Sequence, residues 1–518
     1  MLVGLSTPEL ILVRVTAVLL IYPGLICFAY FVLAALAGGV AAIAHPFSIF
    51  IEVYGAIEIL WYLFWFLPFK HRLQKRGPAP SRMTREERKD LFTKGMNTVP
   101  DLENYVRGWF DKAHMGDIRR DNLKDWLLWS LFGRDGNFGD DAPELEEYIQ
   151  ELEERMAVAF KKGRGDAKAL RLSFDPIKMT HRSLLFYSLT GFADILTTVF
   201  LLSKGFKFYR QPRNAFFSVF PFRPMTLFSP QQSAAPEMSY FYRPHTSKTQ
   251  RPIMFIHGVG IGMAPYLLWL NSVPRDVGII AIELLPVSNK ICPPMPSSSE
   301  LVDSISRILA EHSLEYDSFV FVGNSYGTLL LSPMLKREGL AAKIASVVLV
   351  DPVSLLLHLP DVAWNFARRR PRTGPEWEIY YGAATDPMVA HTLARRFDFR
   401  DAILWREQLR GRRATVILGG RDCVTHPMAV ASYVYYGDVE IHDYTEQRVE
   451  AWKATPGIWT GQWEMELLYL DGLDHGQAFL KPGYVPTVQK VVDTYCWRDG
   501  SGGELRKSTG DYESSSVG

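Results

Sequence analysis

From Val15 to Ala44 the chain runs for 30 residues without a charged side chain. About 20 apolar residues at 1.5 Å rise already cross the hydrocarbon core of a bilayer, so this run predicts a membrane-spanning helix. After His45-Pro46 a second run, Phe47 to Phe69, is nearly as apolar but holds Glu52 and Glu58, each costly at mid-bilayer unless paired or protonated. A cleaved signal peptide is the alternative for the first run, because Ala35-Leu36-Ala37 resembles a cleavage site. The run is, however, roughly twice the length of a signal h-region, and a second apolar segment follows at once. The expectation is therefore a membrane anchor of two transmembrane helices over residues 1–69. Lys70, His71, Arg72, Lys75, Arg76, Arg82 and Arg85 crowd its C-terminal flank, and such clusters favour the cytoplasmic face. This predicts an integral membrane protein whose main body is cytosolic; no Asn begins a glycosylation sequon, which agrees.

Charge supports the same partner. Lys+Arg total 57 against 56 Asp+Glu, so there is no global basic field to hold nucleic acid. Four scattered cysteines, Cys27, Cys292, Cys423 and Cys496, make neither a disulfide scaffold nor a paired zinc site.

Residues 70–237 read as a helical module. Leu145 to Lys162 places apolar residues at helical spacing, acidic residues early and lysines late, as the helix dipole favours. The stretch Asp125-Trp126-Leu127-Leu128-Trp129 suits either core or a membrane-surface contact. Leu184 to Leu202 is long enough to span a bilayer, but Thr190, Gly191, Asp194, Thr197 and Thr198 make it polar. An amphipathic helix over 184–202, lying in the membrane surface or against the body, is the favoured reading. Residues 500–518, rich in Gly and Ser, read as a disordered tail.

From residue 238 the pattern changes to short β-branched and aromatic runs alternating with helical stretches. Strand candidates are 238–242, 253–256, 279–282, 319–322, 347–350, 415–418 and 466–469, which predicts an α/β domain over 238–499 with a mostly parallel sheet. Gly323-Asn324-Ser325-Tyr326-Gly327 follows one strand and precedes an apolar helix start. In that context G-x-S-x-G makes a sharp, strained turn that lifts the serine hydroxyl above the sheet. Phe255-Ile256-His257-Gly258-Val259-Gly260 ends an earlier strand; its glycine turn and the residue after the serine would supply oxyanion donors, the N–H groups of Val259 and Tyr326. His257 suits a structural turn better than a base.

A nucleophilic serine needs a base and the base an orienting carboxylate. His475, in Leu473-Asp474-His475-Gly476 after a late strand, is the expected base. Asp422, after Gly419-Gly420-Arg421, is the expected acid, and the order Ser325, Asp422, His475 is the one this strand-turn-helix chemistry uses. Asp351 is the alternative acid and Asp474 a weaker one. His312, His426 and His442 read as ordinary histidines.

The segments HGVG, GNSYG, GGRD and LDHG, in this order, resemble the α/β-hydrolase superfamily over about Met238 to Trp497. The preceding apolar and polar module resembles that of membrane-associated fungal members of that superfamily. The resemblance implies a central eight-stranded sheet, a Ser-Asp/Glu-His triad, a helical cap at about 352–414, and no metal or organic cofactor. A serine in the elbow disfavours the dehalogenase and epoxide hydrolase branches, which carry an aspartate there. In the cap, Trp364, Trp377, Tyr380, Tyr381 and Trp405 are expected to line an apolar acyl pocket. The run Arg368-Arg369-Arg370 with Arg372 reads as a solvated face rather than a lipid-headgroup site. The expected activity is membrane-anchored serine hydrolysis of a lipophilic carboxylic ester. The alternatives are acyl transfer by the same triad, or a non-catalytic binding protein of the same fold.

Overall fold

The computed structural model describes residues 3–436 and 465–498. Its centre is an eight-stranded sheet: β1 (Lys207–Tyr209), β2 (Tyr240–Arg243), β3 (Ile253–Ile256), β4 (Ile279–Ile282), β5 (Phe319–Asn324), β6 (Ile344–Val350), β7 (Arg413–Gly419) and β8 (Met465–Leu470). The spatial order is β1-β2-β4-β3-β5-β6-β7-β8. β2 runs antiparallel to both β1 and β4, and the other pairs are parallel. Side chains alternate between two cores. Met254, Ile256, Ile280, Ile282, Phe319 and Phe321 enter one cluster, while Ile253, Phe255, Ile279, Ala281, Val320 and Val322 enter the other. Period-2 alternation with both faces apolar is what a sheet sandwiched between helical layers requires.

The sheet begins earlier than residue 238, since β1 precedes it. That three-residue edge strand is too short to leave a pattern of its own. The helical stretch expected over 145–162 ends sooner: the helix is Ala142–Met156, stopped by Ala157 in the left-handed conformation at φ 51°. Trp126, Leu127, Leu128 and Trp129 are buried, so that stretch is core and not a membrane contact. The helices Arg85–Asn97, Leu102–Trp109, Arg120–Phe132 and Ala142–Met156 share one apolar cluster with the sheet. Trp109 Nε1 donates to His358 O at 3.1 Å and Thr98 Oγ1 lies 3.0 Å from His358 Nε2, tying this module to the connection between β6 and β7.

Among the described residues three helices are long and apolar enough to cross a membrane: Pro23–Ile43, Pro46–Leu73 and Leu184–Ser203. The first uncharged run is not one helix, because Tyr22 and Pro23 break it. Thr7–Ile21 is separate, capped by Ser6 and Glu9, and lies against the body, where Arg14 sits over the Trp377 ring at 5.5 Å. Pro23–Ile43 is bare of protein along nearly its whole length and packs on the start of Pro46–Leu73. There Gly55 admits Cys27 so closely that a Cβ would meet the Cys27 Cβ at 2.4 Å.

The carboxylates that made the apolar runs doubtful are matched. Glu58 accepts from Leu184 N at 3.1 Å and Leu185 N at 3.2 Å, and from Tyr54 OH at 2.6 Å. It thus serves as an anionic cap for the helix Leu184–Ser203, where free N–H groups and the helix dipole favour negative charge. Glu52 accepts from Ser48 Oγ at 3.0 Å. Asp194 pairs with Arg223 at 3.0 Å and Lys290 at 3.1 Å, and Arg223 also pairs with Glu283 at 2.7 Å. This buried network fastens one face of Leu184–Ser203 to the body. On that face lie Tyr187, Thr190, Gly191, Thr197 and Thr198, whereas Leu185, Leu189, Phe192, Leu196 and Val199 are exposed on the other. The expected tail at 500–518 and His442 lie outside the described residues.

Candidate active site

Parallel strands end on one edge, and at β3 the sheet order reverses, so loops leaving β3 and β5 diverge there and open a crevice. The β5 turn carries Ser325, which takes φ 49° although it is not glycine. A non-glycine residue held there is strained, and such strain persists where the surrounding structure fixes it. Gly327 makes the turn feasible, since a Cβ on it would meet Ile256 O at 2.1 Å. Gly258 does the same from the β3 side, where a Cβ would meet the Ser325 Cβ at 2.9 Å.

The structure brings Ser325, His475 and Asp422 together. Ser325 Oγ lies 2.7 Å from His475 Nε2, and His475 Nδ1 lies 2.7 Å from Asp422 Oδ2. An ionised Asp422 assigns the proton to Nδ1, leaving Nε2 to accept from the serine hydroxyl. The other oxygen of Asp422 accepts from Val424 N at 2.7 Å and Thr425 N at 3.0 Å. Burial acts to raise the Asp422 pKa, but His475 and these N–H groups outweigh it and the carboxylate is held low. For His475, burial acts to lower the pKa, and Asp422, helped by Asp351 and Asp474, carries it above the ordinary histidine value.

Asp351 is not bonded to the histidine ring. Its two oxygens accept from Gly419 N and Gly476 N, each at 2.7 Å, clamping the end of β7 to the loop of His475. Burial and the neighbouring Asp422 charge push its pKa up to about 6. Asp474 Oδ1 accepts from Cys423 N at 2.9 Å and His475 N at 2.7 Å, so it joins the two loops and points away from the ring. His257 is fully buried; its Nε2 accepts from Leu284 N at 3.0 Å and its Nδ1 lies 2.7 Å from Gly258 O, a turn-holding role. His312 stacks on Tyr242 and His426 accepts from Ala429 N.

Tyr266 escaped the sequence reading. Its hydroxyl accepts from Gly258 N at 3.0 Å and donates to Asn324 Oδ1 at 2.7 Å, joining the β3 turn to the serine turn. Asn324 Nδ2 in turn donates to Val350 O at 3.0 Å. No local motif marks a tyrosine whose hydroxyl bonds a residue 58 positions further along the chain.

Ser325, Tyr326 and Val259 open on a cavity of about 600 Å³. The cap lines it with Val353, Leu357, Val362 and Phe366, but not with the expected aromatic set, of which only Tyr380 takes part. Trp364 faces Lys112 and Asp111, Trp377 faces Arg14, Tyr381 packs on Phe186, and Trp405 packs on His358. Further aromatic lining comes from Phe366, Phe397 and Phe399 of the cap and from Trp109, Trp129 and Phe174 of the N-terminal module. Arg368 and Arg369 also line the cavity and are half-buried, so that end of the arginine run is not a free solvated face. Arg368 pairs with Asp175, and Arg369 Nη2 donates to Cys423 O at 2.7 Å.

No family model and no curated protein matches this sequence. Similar solved structures include a bacterial membrane phospholipase A, at 13% identity over 60% of this chain and 94% of that chain, with a TM-score of 0.35. Others are carboxylesterase CesB from Bacillus subtilis (11% identity, 60% and 99% covered, TM-score 0.32) and haloalkane dehalogenase DbeA from Bradyrhizobium elkani (11%, 50% and 95%, 0.33). Identities this low say nothing of chemistry. The strand order, the glycine turn that carries Ser325, and the strand-end positions of Asp422 and His475 give this chain the α/β-hydrolase fold.

Proposed function

We propose that the protein is a membrane-anchored serine hydrolase that cleaves a lipophilic carboxylic ester through an acyl-enzyme. The observation that carries this reading is the hydrogen-bonded chain Asp422–His475–Ser325, with 2.7 Å at each link, ending on a serine that faces a largely apolar cavity. Ser325 Oγ attacks the carbonyl carbon while His475 Nε2 takes its proton, and Asp422 stabilises the imidazolium so formed. The N–H groups of Val259 and Tyr326 hold the oxyanion, and such donors contribute about 3–4 kcal/mol each to lowering the barrier. Collapse expels the alcohol, which receives the proton from His475. Water, deprotonated by His475, then releases the acid.

The apolar surface supports a bilayer setting. Pro23–Ile43 spans 21 residues with a kink at Gly39, and its length and apolar character suit a membrane crossing; Pro46–Leu73 returns beside it with the basic cluster at its end. Leu184–Ser203 lies along the membrane surface: its polar face is bonded to the body and its other face is exposed and apolar, and Phe217 and Phe228 are further aromatic residues that are 81% and 75% exposed.

Incubation with a p-nitrophenyl acyl ester, quenched early and digested, tests the chemistry. The Ser325 peptide should gain the acyl mass in the wild type and not in Ser325→Ala. Protease treatment of sealed microsomes tests the topology, and protection of the sheet-bearing body would overturn the cytosolic placement.

A further inference from the structure

The cavity that ends at Ser325 has an uneven charge. Among the described residues eight Lys and Arg side chains line it, against four Asp and no Glu. Arg76, Arg368 and Arg400 are matched by Asp135, Asp175 and Asp398, and Arg134 and Arg369 by Asp141 and Glu376, which do not themselves line the cavity. Arg395 is tied to main-chain carbonyls, including Leu172 O and Asp175 O at 2.8 Å each, and acts as a brace. Lys178 differs: no carboxylate lies within ion-pair distance of it among the described residues, and Arg370 is likewise without one. Burial and the nearby charges of Arg368 and Arg370 disfavour the Lys178 ammonium and lower its pKa. Asp111, whose charge acts on Lys178, accepts from Trp364 Nε1 at 2.9 Å. Lys178 and Arg368 line the cavity, Arg370 stands two residues after Arg368 and outside the lining, and both Lys178 and Arg370 are exposed.

Like charges gathered at the rim of an apolar cavity cost free energy unless an anion joins them, and Arg and Lys clusters at such rims recognise phosphate through charge-assisted hydrogen bonds. Leu329, Val353, Leu357 and Phe366 line the same cavity as Ser325 and give it apolar surface. The geometry points to a substrate of matching polarity: we infer that the group Lys178–Arg368–Arg370 binds the anionic, phosphate-bearing head of an amphiphilic ester whose acyl chain fills the cavity beside Ser325. This rests on the hydrolase reading for the reacting end only. The head site stands on the placement of the cations.

The test uses full-length protein in phosphatidylcholine nanodiscs, with an uncharged alkyl fluorophosphonate as the Ser325 label. Dodecyl phosphate and dodecylphosphocholine, below their micellar concentrations, compete for the cavity. Dodecyl phosphate should protect Ser325 at about tenfold lower concentration, the effect of about 1.4 kcal/mol from one added charge-assisted contact. Lys178→Ala combined with Arg370→Ala should bring the ratio of the two half-protecting concentrations close to one, while Lys248→Ala, an exposed residue outside the cavity, keeps the wild-type ratio. Inorganic phosphate at the same concentration should not protect; if it does, a free anion and not an amphiphile is the ligand, and the inference falls. Equal protection by the two amphiphiles, or an unchanged ratio in the double variant, also overturns it. Complete failure to label Ser325 would refute the hydrolase reading instead. In that event the fluorescence of Trp109 and Trp129, which line the cavity, still reads the preference for dodecyl phosphate, and its absence refutes the head site.

Discussion

Replacing Tyr266 by Phe removes one oxygen atom and leaves the ring where it is. The ring is packed against Phe255 and Phe479 at centroid distances of 4.8 and 5.1 Å, so the substitution opens no cavity of consequence. What it removes is the acceptor of Gly258 N–H and the donor to Asn324 Oδ1. Both partners are buried, and a buried polar group left without a partner costs about 1–3 kcal/mol. The two together cost about 2–6 kcal/mol, which at about 2–4 °C per kcal/mol lowers the melting temperature by at least about 4 °C. Because the same hydroxyl holds the turn of Val259 against the turn of Ser325, the oxyanion donors lose their position relative to the nucleophile. A misplacement on the scale of an ångström slows reaction by about 100-fold, so Tyr266→Phe should label with a fluorophosphonate about 10–100-fold more slowly. The assay pairs a thermal melt of the purified, membrane-embedded protein with a labelling time course. A melting temperature within about 1 °C of wild type, a change expected of a neutral surface substitution, together with an unchanged labelling rate, would refute the reasoning.

Asp422→Asn should slow ester turnover by about 10³–10⁴-fold by removing the acceptor that sets the His475 tautomer; Asp351→Asn should cost far less rate, because Asp351 bonds to backbone N–H groups and not to the ring. A larger loss at position 351 would make Asp351 the acid. His475 must be neutral to act as base, and its pKa is raised, so kcat/KM should fall as pH drops through a midpoint above 6.5. The sign for stability is opposite: a raised folded pKa stabilises the charged form fully below about 6.5 and loses that contribution as pH rises through the folded value. An acid limb centred below 6.5 would contradict this assignment. Glu58→Ala should strip the cap from Leu184 and Leu185 and increase hydrogen exchange at the start of the helix Leu184–Ser203; protection equal to wild type would show that the cap is not needed.

The features legible in the sequence were those whose signal is local. The serine turn announces itself because two glycines, a preceding strand and a following helix stand within a dozen residues, and the order Ser325, Asp422, His475 follows the strands that carry them. Seven of the eight strands form runs of β-branched, aromatic or other apolar residues long enough to be seen, while Lys207–Tyr209 is a three-residue edge whose pairing with β2 is set by tertiary contact. Glu58 and Asp194 were legible as anomalies in apolar runs, but their partners, 126 residues away at Leu184 and on separate loops at Arg223 and Lys290, were not. The cap aromatics misled for a related reason. Trp364, Trp377 and Trp405 have the composition of a pocket lining, yet each is drawn to a partner outside the cavity, and the lining is completed by Trp109 and Trp129 from a module that sequence alone gave no reason to place over Ser325.

The account stands most directly on the reactivity of one hydroxyl. Full-length protein in a bilayer, treated with a fluorophosphonate and digested for mass spectrometry, should carry the label on Ser325. Ser325→Ala should take none, and His475→Ala should react slower by about a thousandfold or more. Folded protein that stays unlabelled at Ser325, or that labels equally well without His475, would contradict the claim that Asp422, His475 and Ser325 act as a nucleophilic unit.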